Sequence, residues 1–61
     1  MDPAYIEYIE QELQKVITPY TSPEVAKEVK NLQSLINEYK RNPSDQLMIK
    51  LLMHINQFLG Y

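Results

Sequence analysis

The sequence lacks cysteine and tryptophan and has a single glycine among its 61 residues. Without cysteine, neither a disulfide nor a thiolate metal site can supplement the core. A single glycine, Gly60, also excludes a glycine-rich phosphate-binding loop. Because a chain of this length buries only about 60% of the surface it exposes when unfolded, we expect self-association to complete the core.

Long apolar runs are absent as well. The longest run is three residues, Leu51 to Met53, whereas roughly 18 to 20 are needed to span a bilayer, so no transmembrane helix is predicted. The first 20 residues carry four acidic side chains and one lysine, which is the reverse of the basic start of a signal peptide. We therefore expect a cytoplasmic protein.

Side chains that carry catalysis or hold metals are scarce. Nucleophilic and acid–base catalysis need convergent reactive groups, and the chain offers no cysteine and a single histidine, His54. On a helix, the residues three before and four after His54 are Leu51 and Phe58, which cannot coordinate a metal. The sequence therefore predicts no enzyme, no cofactor and no metal site.

Helix-start signals are what the chain does have. Three of the four prolines follow a polar residue at 20-residue intervals, in Asp2-Pro3, Ser22-Pro23 and Asn42-Pro43. Proline is favoured at the first helical position, and the residue before it can accept from the free N–H groups of the first turn. Apolar residues then recur at spacings of three and four. We predict one all-α domain, residues 1–61, in which helix three is the centre of a small bundle of three helices at about 3–17, 23–40 and 43–59.

Helix three is predicted to have two apolar faces. Seven of its apolar side chains form an arc of about 140° on a helical wheel, with Leu52 at one edge, and Ile49 and Met53 fall outside this arc. A bundle of three short helices would bury one arc only, so we predict that Ile49 and Met53 mediate self-association, most simply in a two-fold dimer. Gly60 is predicted to end the helix in a left-handed conformation, with Tyr61 folded back toward Ile55.

Tyrosine is frequent, with five residues against one phenylalanine. Its apolar ring and polar tip suit partly wet contacts. Tyr5 and Tyr39 lie on or beside the core stripes, where packing is expected. Tyr8 falls off the stripe of helix one and Tyr20 lies in the first connector, so we predict that these two contact a partner. The alternative is that they cover the ends of the core.

By elimination, the sequence predicts a small helical protein–protein interaction module, a homodimeric regulator, adaptor or inhibitor. A purely structural homo-oligomeric assembly subunit explains the same residues. The second alternative is a weak nucleic-acid-binding dimer, although a net charge of −2 opposes phosphate binding; it would use Lys27, Lys30, Lys40 and Arg41. Binding to a membrane surface is not expected, because helix three lacks a basic face.

Overall fold

The computed structural model describes all 61 residues and contains three α-helices and no strand. The helices are α1, Pro3–Val16, α2, Pro23–Arg41, and α3, Asp45–Leu59. The prediction of a small all-α bundle is confirmed, and the first two helices end within one residue of their predicted bounds. No helix of the structure has the combined length and apolar character needed to cross a membrane.

The first two helices begin where the polar–proline pairs predict. The Asp2 side chain accepts a hydrogen bond from the Ala4 backbone N–H at 3.0 Å. The Ser22 hydroxyl accepts from the Val25 N–H at 3.3 Å. In both helices proline follows the cap, where its missing N–H leaves no hydrogen bond unmade.

The third pair behaves differently, because Asn42-Pro43 closes α2 and does not open α3. The Asn42 N–H donates to the Glu38 carbonyl at 3.1 Å, which makes Asn42 the C-cap of α2. Ser44 then takes the role predicted for Asn42, since its hydroxyl accepts from the Leu47 N–H at 3.1 Å. Helix α3 therefore starts two residues later than predicted, because α2 extends to Arg41 and engages Asn42 in its last turn.

The core consists of nine buried apolar side chains. Helix α2 contributes four of them, α1 three and α3 two. They form one cluster made of Ile6, Ile9, Leu13, Val29, Leu32, Leu35, Ile36, Leu51 and Ile55.

Helix α2, and not α3, is central to the bundle. It packs against both other helices, whereas no Cα atom of α1 lies within 8 Å of a Cα atom of α3. The prediction that helix three is central was therefore wrong. The physical reason is that α2 is the longest helix, at 19 residues. Its apolar residues, spaced four and three apart, form a face against which both other helices can pack.

We expect Ile36→Ala to destabilise the fold by about 3 kcal/mol, because Ile36 is fully buried on the central helix. Ile17→Ala is the matched control, since Ile17 is 46% exposed, and we expect it to cost less than about 1 kcal/mol. Urea titration followed by circular dichroism measures both. Equal losses for the two variants would contradict the assignment of α2 to the core.

We expect Ser44→Ala to cost about 1 kcal/mol, because it removes the hydroxyl that caps the first turn of α3. Ser34→Ala is the control, since Ser34 is exposed within α2 and alanine there favours the helix. Chemical unfolding of both variants tests this. An unchanged stability of Ser44→Ala would mean that the cap of α3 lies elsewhere.

Candidate protein interface

Helix α3 carries a row of exposed apolar side chains on the part of its surface that the bundle leaves uncovered. Ile49 and Met53 are each 56% exposed, and Leu52 is 42% exposed. Ile49 lies three residues before Leu52 and four before Met53, so on the helix surface it neighbours both. We call these three residues the α3 stripe.

Leu52 is the member of the α3 stripe that sequence reasoning missed. The helical wheel assigned it to the buried arc, together with Leu51 and Ile55, which the structure does bury. Leu52 lies at the outer edge of that arc. The backbones of α1 and α3 stay apart, and this edge is left open. In the sequence, the position of Leu52 at the edge of the arc was the one indication that it could be exposed.

The α3 stripe contains no charged residue, and α3 as a whole carries one acidic and one basic side chain, Asp45 and Lys50. Lys50 lies toward α2, in a cleft of about 300 Å³ that Glu38 and the half-buried His54 also line. The first 20 residues, by contrast, carry four acidic side chains and one lysine. The α3 stripe is therefore an apolar surface without net charge on an otherwise charged molecule.

Tyr8 forms an aromatic pair with Tyr61. Their ring centroids are 6.1 Å apart with the planes inclined by 21°, and their hydroxyl oxygens are 3.5 Å apart. The Asn56 side-chain amide donates to the Tyr61 carbonyl at 3.1 Å. Tyr61 thus turns toward α1 and is not among the side chains that pack on the core, contrary to the prediction that it folds toward Ile55.

The turn that permits this contact is the left-handed C-cap at Gly60. Its φ is 76° and its N–H donates to the Asn56 carbonyl at 2.9 Å, as the sequence predicts. From there the chain reverses across the end of α3, and Asn56 lies one turn after Leu52. The tyrosine pair therefore borders the C-terminal end of the α3 stripe.

Tyr20 lies at a separate place, in the connector between α1 and α2, and is 96% exposed. The connector is held by its threonines, since the Thr21 hydroxyl donates to the Val16 carbonyl at 2.8 Å and accepts from the Thr18 N–H at 2.7 Å. Tyr20 projects from this ordered turn. The structure does not bring Tyr8 and Tyr20 together, whereas Tyr5 and Tyr39 pack against the core as expected.

The four basic residues of the nucleic-acid alternative do not share one face. Lys27, Lys30 and Arg41 lie within about 60° of one another on a helical wheel, opposite the buried side of α2. Lys40 lies about 80° to 140° from each of them, and its ammonium nitrogen contacts a Glu10 carboxylate oxygen at 2.7 Å. One of the four cations is thus already paired with α1.

A wider cleft of about 630 Å³ opens between the start of α1 and the end of α2. Its walls combine the Glu10–Lys40 ion pair with Glu7 and the ring of Tyr39. The two carboxylates are balanced by the Lys40 ammonium and the Met1 amino group, which donates to the Tyr39 hydroxyl at 3.4 Å, so the cleft presents no field of one sign. No group of three or more metal-ligating side chains is placed to hold an ion.

The surroundings of Tyr61 favour its neutral phenol. The hydrogen bond with Tyr8, then desolvation and the charge of Glu12, raise the pKa of Tyr61 from 10.0 to about 12. Because this pKa is raised in the folded state, the contact contributes its full stability below pH 10. That contribution is lost as the pH rises from 10 through about 12.

Comparison of the chain with protein-family models, with curated proteins and with solved structures gave no match.

We expect tyrosinate absorbance, recorded during an alkaline titration, to show one tyrosine with a pKa of about 12. Subtracting the trace of Tyr61→Phe assigns it. Tyr8→Phe should return the pKa of Tyr61 toward 10, because the hydrogen bond is the largest cause of the shift, and Tyr20→Phe should leave it unchanged. A wild-type Tyr61 that titrates at its ordinary value would show that the pair does not form in solution.

Proposed function

We propose that this protein is a small helical protein–protein interaction module of the cytoplasm that acts as a homodimeric regulator, adaptor or inhibitor. The α3 stripe is the observation that carries the proposal. Three large apolar side chains on a 15-residue helix stand in water at 42% to 56% exposure. Exposed apolar groups that adjoin one another are typical of interaction surfaces, whereas scattered ones are ordinary.

A second copy of the chain is the occupant that the charges favour. In a two-fold interface each surface meets itself, so a surface of one sign repels its copy. The start of the chain and α1 are acidic, whereas α3 carries one acidic and one basic residue. If two α3 helices paired antiparallel, with the two-fold axis at the level of residue 51 along the helix, Ile49 would face Met53 of the second copy. No like charges would be opposed.

The size of a stable interface indicates that the α3 stripe is its centre and not its whole extent. Specific interfaces bury roughly 800 Å² per partner, which is a little under a fifth of the 4481 Å² that this chain exposes. The half-exposed Tyr8 and Tyr61 border the stripe at the Asn56 turn. They supply further apolar area of the kind that is enriched in interfaces.

Tyr20 lies apart from the α3 stripe, and we expect it to contact a heterologous partner. A regulator or adaptor needs a second surface beside the one that joins its two copies. Tyr20 is 96% exposed on a turn ordered by Thr18 and Thr21, so binding it would cost little ordering of the backbone. A structural homo-oligomer would need the α3 stripe alone.

We expect light scattering across a concentration series to give the mass of a dimer, with the monomer appearing on dilution. Ile49→Glu combined with Met53→Glu should make the protein monomeric, because burying two carboxylates without partners is strongly unfavourable. Ser34→Glu with Asn37→Glu is the control, since both residues are exposed on α2 and the pair adds the same charge. This control should remain dimeric.

Two results would contradict the proposal. A wild-type chain that stays monomeric and well folded at all concentrations would remove the homodimer. A double variant of Ile49 and Met53 that keeps the dimer mass and full helicity would show that the α3 stripe is not the interface. Circular dichroism on the same samples separates a folded monomer from an unfolded chain.

A further inference from the structure

The Tyr8–Tyr61 pair places two phenol rings from positions 53 residues apart in sequence in direct contact. When a tyrosine loses one electron and one proton, much of the unpaired spin of the phenoxyl radical lies on the carbons ortho to the oxygen. These carbons are next to the carbon that bears the hydroxyl group. Hydroxyl oxygens 3.5 Å apart therefore bring the reactive edges of the two rings together.

The orientation of the rings also suits coupling. A bond between two phenoxyl radicals begins to form perpendicular to each ring, because the spin occupies orbitals normal to the ring plane. The two ring planes are inclined by only 21°, with centroids 6.1 Å apart, so the orbitals normal to the two rings are nearly parallel. In the single chain Tyr8 is 46% exposed and Tyr61 50% exposed, so both rings are accessible to an oxidant in the monomer.

We propose that Tyr8 and Tyr61 form a dityrosine cross-link within one chain when the protein meets a one-electron oxidant such as a haem peroxidase with hydrogen peroxide. Each tyrosine gives up one electron and one proton, and the two radicals join through a carbon–carbon bond between ortho carbons. Each ring then loses the proton on its bonded carbon and regains one on its oxygen. The chain loses two hydrogen atoms in total, and one hydrogen peroxide is reduced to two waters.

Such a bond would join α1 covalently to the chain just beyond the end of α3. Helices α1 and α3 do not approach each other through their backbones, and the Tyr8–Tyr61 contact is the one hydrogen bond that joins α1 to the residues after α2. The chain has no cysteine and cannot form a disulfide, so an oxidant would cross-link it through tyrosine. A closed loop of this length restricts the unfolded chain, as a disulfide does.

The test treats the purified chain with horseradish peroxidase and hydrogen peroxide at several dilutions. We expect dityrosine fluorescence in material that migrates as a single chain on a denaturing gel, with a mass lower by two hydrogen atoms. Peptide mapping should join the fragments that contain Tyr8 and Tyr61. Tyr8→Phe and Tyr61→Phe should each abolish this product, whereas Tyr20→Phe should retain it.

The controls separate coupling within one chain from coupling between chains. Tyr20 is the most exposed of the large apolar side chains and is the best candidate for random coupling between molecules. The fraction of single-chain product should not change on dilution. A product found only as covalent dimers, or a single-chain product that survives Tyr61→Phe, would overturn the proposal.

Discussion

The packing of α2 between the other two helices is the constraint on which the structure depends. Helix α2 supplies four of the nine buried side chains, and its backbone lies close to both other helices, whose backbones do not approach each other. Neither α1 nor α3 could keep a core if α2 were lost. The bundle is therefore one cooperative unit, in keeping with a domain of this size, and its small core explains why association would add much to its stability.

The same constraint accounts for both surface features. The backbones of α1 and α3 stay apart, and the outer edge of the α3 arc is exposed, so Leu52 joins Ile49 and Met53 at the surface. Side chains connect the two regions, since buried residues of α1 and α3 belong to one core cluster and Tyr8 pairs with Tyr61 at the surface. The exposed α3 stripe and the Tyr8–Tyr61 pair are thus both related to the central position of α2.

The sequence predicts the helices well because the signals that start and stop them are local. Asp2, Ser22 and Gly60 act through neighbours two to four residues away, and their roles follow from residue type. Asn42 was misjudged because two helices compete for it, and the length of α2 decides the outcome. The central position of α2, the exposure of Leu52 and the direction of Tyr61 depend on contacts across the bundle, which no local spacing specifies.

Gly60 has a further consequence for how this chain tolerates change. It is exposed, and a methyl group added to it would meet no atom within 4 Å, so a ranking of positions by contacts or burial would place it last. Its φ of 76° is nevertheless strained for any side chain other than hydrogen. A position whose side chain would touch nothing therefore controls whether the end of the chain returns to the first helix, and substitution there would alter the surface before it altered the core.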